Sequence, residues 1–300
     1  MTPKSTGQKG RNGMKIGFIG LGIMGESMSE NIVKKHDGEV FVYDMVHAQV
    51  EKLEALGATG CGSSPEVARN ADVIITMVPK SEHSKSVYRE ILGELGEGKT
   101  CIDMSTIDPG VSVEIAGMVE ATGARFLDAP VVKSKPAAIA GTLGIYVGGD
   151  REVYEKMKGI LLYMGNNTIH MGDHGKGLVM KVCHNTLVAQ IQNGVNETIA
   201  LAEQNGIGLD AYTEAVSYGG GQNFYLDGKA PFIKDNNFTT AFSVENMAKD
   251  LGICRTMATE EGIRMPGMEV SLEVYKDALD MGLGRMDFCA TIQAVRKRMA

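Results

Sequence analysis

The chain is 300 residues long, carries a net charge of −7 at pH 7 and is 43% hydrophobic, a size that suits two domains better than one small core. The acidic balance argues against a nucleic-acid partner, which needs a basic face or stripe, and no run reaches the roughly 20 apolar residues of a membrane helix. Five scattered cysteines with no Cys-x-x-Cys pair speak against a disulfide framework or zinc site and for a reducing, cytoplasmic setting.

Residues 1–13, MTPKSTGQKGRNG, are polar and lack the apolar run of a signal peptide, so they are expected to form a disordered leader. From there to about residue 173, short apolar runs alternate with helical patterns, the mark of a parallel sheet flanked by helices. Strands are expected over 15–20, 39–43, 73–78, 100–104, 125–128, 144–147 and 168–171. Helices are expected over 24–35, 49–55, 109–120 and 152–161. Runs such as VIITMV are apolar throughout, as when both sheet faces are covered. The first domain, 14–173, is therefore expected to be α/β and doubly wound.

Residues 174–300 read as a second, all-helical domain. The segment 177–204 contains no proline and, after Gly177 at its start, one glycine, Gly194, and would make a helix roughly 40 Å long. Its apolar positions are Leu178, Val182, Leu187, Ile191, Val195 and Ile199 or Ala202. Shorter helices are expected over 210–216, 244–261, 268–281 and 288–299, with loops at 219–221 and 231–238 where Gly, Pro and Asn cluster.

Gly20-Leu-Gly22-Ile23-Met24-Gly25 follows the strand KIGFI and opens a helix. A Gly-x-Gly-x-x-Gly string alone is a weak signal, but this context is that of a dinucleotide loop. One glycine serves the turn, one admits the pyrophosphate, and one allows close helix–strand packing. The second strand ends in Asp44, suitably placed for the ribose hydroxyls of NAD. A carboxylate there would repel the 2′-phosphate of NADP, and no arginine follows to compensate. NAD is the expected cofactor. None of the six histidines lies at a metal-binding spacing.

Six motifs then fall in order: GFIGLGIMG (17–25), MVP (77–79), DMST (103–106), DAPV (128–131), GxGxxxKxxxN (175–185) and AKDLG (248–252). Together they resemble the β-hydroxyacid dehydrogenase family, which includes 3-hydroxyisobutyrate dehydrogenase, tartronate semialdehyde reductase and sulfolactaldehyde reductase. The resemblance covers about residues 14–297 and implies a Rossmann-type sheet, then an all-α domain built on a long interdomain helix, with the site in the cleft between them. It implies Lys181 as the proton-transfer lysine and Asn185 as the substrate-orienting asparagine. It further implies cofactor contacts from Val78, Thr106 and Lys249, a substrate contact from Ser105, and a homodimer or homotetramer. The expected substrate is a small anionic 3-hydroxy acid, 3-hydroxyisobutyrate-like, or its semialdehyde.

Two departures stand out. The family's Ser-Gly-Gly after DAPV is replaced by Val132-Lys133-Ser134, and His184 stands where an asparagine is common. A lysine at 133 raises the alternative of a semialdehyde with a second anion, as in sulfolactaldehyde reduction, or a surface lysine of no consequence. His184 either packs or contacts substrate. An imine-reducing relative is disfavoured by Lys181, and a non-catalytic oligomeric scaffold by Lys181, Asn185 and the glycine fingerprint together. A cofactor-binding regulator that keeps these residues without turnover is a further alternative, which NADH turnover with a small semialdehyde would separate.

Overall fold

The computed structural model describes residues 13–299, so the expected leader, but for Gly13, lies outside the described residues. The chain divides into two compact units that meet inside the long helix, between Val179 and Met180, rather than ahead of it at 173/174.

Unit 1 runs β1 (Ile16–Ile19), α1 (Gly25–Lys35), β2 (Val40–Tyr43), α2 (His47–Glu54), β3 (Thr59–Gly60), α3 (Ser64–Asn70), β4 (Val73–Thr76) and α4 (Ser81–Ile91). It continues with β5 (Thr100–Asp103), α5 (Pro109–Glu120), β6 (Arg125–Asp128), β7 (Val131–Val132), α6 (Lys135–Ala140), β8 (Leu143–Gly149), α7 (Arg151–Met164) and β9 (Gly165–Gly172). The sheet order is β3-β2-β1-β4-β5-β6-β8-β7, with β9 beside β8. β3 through β6 pair in parallel, whereas β8 runs antiparallel to β6 and β7. The order reverses between β1 and β4, and the crevice beyond the carboxyl ends of such strands is where open α/β sheets bind ligands.

Alternation along each strand serves two cores at once, because successive side chains leave opposite faces of a strand. Ile16, Phe18, Val73, Ile75, Ile102 and Leu127 pack with α1, α2 and α7. Ile19, Ile74, Cys101 and Phe126 pack with α3, α4 and α5 on the other face. That is why these strands lack the polar positions of a half-exposed sheet.

Unit 2 is helical: α8 (Lys176–Gln204, begun in unit 1), α9 (Leu209–Ser217), α10 (Phe224–Lys234), α11 (Val244–Glu260), α12 (Pro266–Asp280) and α13 (Ile292–Met299), with a 3-10 turn at Phe288–Thr291. Two expectations fail here. Residues 231–234, read as loop, close α10, which carries Pro231 inside it and is capped by Asn223. In addition, Leu187 is 59% exposed, roughly 200° around the helix from Asn185. The buried side of α8 instead carries Lys181, Asn185, Thr186, Gln192, Asn193 and Asn196 among its apolar residues.

Candidate active site

The loop after β1 has the form a dinucleotide needs. Gly20 sits at φ +96°, a left-handed conformation that other residues adopt only with strain. A Cβ on Gly25 would lie 1.9 Å from the Gly20 carbonyl oxygen, so only glycine lets α1 start this close to the turn. A Cβ on Gly22 would meet nothing within 4 Å. That opening, with the exposed Ile23 and half-buried Met24 beside it, fits a pyrophosphate laid on the start of α1. Asp44, just past β2, accepts hydrogen bonds from the Leu21 amide at 2.6 Å and the Val46 amide at 2.8 Å. Its carboxylate therefore holds the glycine loop to the end of β2, where a ribose would be read.

The ends of β4 and β5 are stapled together. The fully buried Ser105 accepts the Val78 amide at 2.9 Å through its hydroxyl, and its own amide donates to Asp103 at 3.0 Å. Thr76 donates to the same Asp103 oxygen at 3.0 Å. Burial pushes the Asp103 carboxyl above its usual range, and these hydrogen bonds draw it partly back. Ser105 thus fixes the strand ends on which Val78 and the half-buried Thr106 stand.

The DAPV aspartate and the glycines of the lysine motif form one joint. Asp128, fully buried, accepts the Gly175 amide at 2.7 Å and the Leu178 amide at 3.1 Å, fastening the first turn of α8. A Cβ on Gly177 would stand 2.6 Å from the Tyr146 carbonyl oxygen and 2.7 Å from Asp128. The helix can therefore begin against the sheet only with glycine at that place.

One turn on, in unit 2, Lys181 is 6% exposed. Its Nζ donates to Asn185 Oδ1 at 3.1 Å, and Asn185 Nδ2 donates to Asp250 Oδ2 at 2.5 Å. The other Asp250 oxygen lies 3.3 Å from Lys249 Nζ. The Phe242 ring centroid is 5.8 Å from Lys181 Nζ. Burial brings the Lys181 ammonium down from 10.5 to about 8; Asp250 opposes that fall and Lys249 adds to it. A buried amine that loses its proton near neutrality, held by an oriented amide, can serve as a general acid or base.

His184 is half-buried beside this lysine, and burial with the nearby Lys181 charge holds its imidazole below the usual range. In the anomalous segment, Val132 is buried in β7 against Gly144, whose Cβ would come within 2.7 Å of it. Lys133 keeps the left-handed backbone, φ 75°, that glycine favours. Its exposed side chain turns back to donate to the Thr142 carbonyl at 2.6 Å. Ser134 precedes α6 without capping it through its side chain. Sequence reasoning missed Phe242 and Asp250. The aspartate was in view, next to Lys249 in AKDLG, but the phenylalanine is one of eight and sits in no motif.

Comparison with known proteins agrees with this geometry. Residues 15–172 match the NAD binding domain of 6-phosphogluconate dehydrogenase. Residues 175–295 match the model described as NAD-binding of NADP-dependent 3-hydroxyisobutyrate dehydrogenase. Glyoxylate/succinic semialdehyde reductase 1 of Arabidopsis thaliana is 31% identical over 94% of this chain and 99% of its own. The NAD-dependent L-serine dehydrogenase of Pseudomonas aeruginosa is 34% identical over 91% and 95%. The structure of Mycobacterium tuberculosis 3-hydroxyisobutyrate dehydrogenase with L-serine superposes with a TM-score of 0.88 at 30% identity, covering 94% of this chain and 99% of that one. With this glycine loop, this buried lysine and this likeness along nearly the whole chain, the protein belongs to the β-hydroxyacid dehydrogenase family of NAD-binding oxidoreductases.

Proposed function

We propose that the protein interconverts a small 3-hydroxy acid, 3-hydroxyisobutyrate-like, and its semialdehyde, with NAD as the preferred cofactor and Lys181 as the proton-transfer group. The carrying observation is the buried, hydrogen-bonded Lys181 with its proton affinity lowered to about 8. When bound, the nicotinamide cofactor would supply the hydride acceptor for alcohol oxidation and, in its reduced form, the hydride donor for the reverse reaction. Neutral Lys181 accepts the hydroxyl proton during oxidation; as the ammonium it donates that proton to the carbonyl oxygen during reduction. Asn185 holds the amine and is itself held by Asp250. Gly20, Gly22, Ile23, Met24 and Gly25 form the pyrophosphate cradle, with Val78 and Thr106 at the neighbouring strand ends. Asp44 accepts the ribose hydroxyls and disfavours a 2′-phosphate. Lys249 is assigned to the cofactor and Ser105 to substrate, each besides the partner it has here.

The relatives support the substrate class, since their names refer to L-serine, 3-hydroxyisobutyrate and short semialdehydes, all compact acids. Val132, Lys133, Ser134 and His184 are assigned to the substrate's anionic end and define a second reading, a semialdehyde with an extra anion such as sulfolactaldehyde. That reading requires Lys133 to release the Thr142 carbonyl. We also propose a cytoplasmic homodimer or homotetramer; among the described residues no helix is long and apolar enough to cross a membrane.

The test is NADH oxidation with methylmalonate, tartronate and succinate semialdehydes and sulfolactaldehyde, for wild type, Lys181→Ala and Lys133→Ala. Turnover should fall by about 10² or more in Lys181→Ala while NADH still binds; near-normal turnover would remove Lys181 from the chemistry. A preference for sulfolactaldehyde that collapses in Lys133→Ala would replace the simple 3-hydroxy acid by the second reading.

A further inference from the structure

Phe242 lies in the connection between α10 and α11, beside a buried ion pair for which the proposed chemistry has no use. Lys229 of α10 and Asp287 meet at 2.8 Å, with side chains 15% and 2% exposed. The Asp287 carboxylate also accepts the amides of Ala241 at 3.1 Å, Phe242 at 3.3 Å and Cys289 at 3.2 Å. In return the Phe288 amide donates to the Phe242 carbonyl at 2.9 Å. Both backbone polar groups of Phe242 are thus fastened to residues 287 and 288.

A second path runs through the rings. Lys229 Nζ lies 4.7 Å from the Phe288 ring centroid. The Phe288 ring meets that of Phe242 edge-on, at 6.5 Å and 71°. A buried ion pair rarely stabilises more than apolar residues of the same shape, so the use of this one lies in the geometry it fixes.

We propose that Lys229 and Asp287 form a positioning pair that holds the Phe242 ring against Lys181 and so keeps water from the amine. This role rests on Lys181 being the proton-transfer group. The groups that face Lys181 are His184 and Asn185 from α8, Asp250 and Lys249 from α11, and the Phe242 ring. Among these, Asp250 favours the ammonium, while burial disfavours it most strongly. The positioning role gives the ring, 5.8 Å from Nζ, its part in that burial, against the weak attraction of a ring face for a cation. Letting the ring drift readmits water, and the ammonium recovers toward the ordinary lysine range.

The experiment is an NMR titration of protein labelled at lysine 13Cε, with the Lys181 signal assigned by its loss in Lys181→Ala. Lys229→Met is compared with wild type, with Lys229→Arg, and with the double variant Lys229→Met/Asp287→Asn, which leaves neither charge buried alone. The Lys181 midpoint should rise by about one pH unit in Lys229→Met and in the double variant, and stay at the wild-type value in Lys229→Arg. An unchanged midpoint in either folded methionine variant overturns the proposal. So does the failure of both to give a cooperative melt, which would make the pair a requirement of folding and nothing more. The titration needs no substrate, so its failure is separate from that of the proposed function, which falls if Lys181→Ala retains turnover.

Discussion

At the scale of single residues, the proposed role of Lys181 as proton-transfer group predicts how activity answers to pH. Below about 8 Lys181 holds its proton, and above it the amine is free. Alcohol oxidation needs the free amine, so its rate should rise with pH through that value, whereas semialdehyde reduction needs the ammonium and should fall. Steady-state rates from pH 6 to 10 in both directions check this, and parallel profiles would contradict it. The displacement also couples to folding: the unfolded lysine keeps its proton to about 10.5, the folded one only to about 8. Between those values the unfolded chain binds more protons, so stability should rise with pH across that window, and this contribution should vanish in Lys181→Ala. Lys181 and Asn185 stood out in the sequence through the resemblance of residues 175–185 to the family's lysine motif, and their four-residue spacing then puts them on one face of a helix. Asp250 and Phe242 reach them through folding alone, from 65 and 57 residues farther along the chain than Asn185, a distance no local pattern spans.

At the scale of elements, the long strands and helices were legible because each has an apolar side of regular period. β3 and β7, at two residues each, are too short to show one. α4 escaped because only Ser84, Tyr88 and Ile91 are buried in an otherwise polar segment. α10 is hidden in the sequence because Pro231 reads as a break, although a proline near the end of a helix spoils only one hydrogen bond of the ladder. Within α8, two glycines of one helix should respond in opposite ways. Gly177→Ala would drive a Cβ into the Tyr146 carbonyl, the Asp128 carboxylate and the Gly148 amide. That should cost about 1–3 kcal/mol, as overpacking does, and lower turnover by shifting Lys181 one turn away. Gly194→Ala meets nothing within 4 Å and should gain up to about 1 kcal/mol from helix propensity. Thermal melts of the two variants decide the matter, and equal shifts would show that the tight joint at Asp128 is not what fixes the start of α8.

At the scale of the whole molecule, the residues proposed for the cofactor and for proton transfer fall on different sides of the division of the chain. The glycine cradle and Asp44 belong to unit 1, and Lys181, Asn185 and Asp250 to unit 2. A ligand held by the folded chain and not by the unfolded one raises stability by mass action, about 2.7 kcal/mol at a hundred times its Kd. NADH should therefore raise the melting temperature, and the gain should depend on Asp44. That carboxylate also ties the Leu21 and Val46 amides, so Asp44→Ala will lower the melting temperature of the free protein as well. The informative quantity is consequently the difference with and without cofactor, taken separately for NADH and NADPH. If Asp44 reads the ribose hydroxyls, the variant should lose most of the NADH increment while the NADPH increment holds or grows, because a repulsion on the 2′-phosphate has been removed. Equal losses for both cofactors would mean that Asp44 serves only to hold the glycine loop, and that selection between NAD and NADP is made elsewhere.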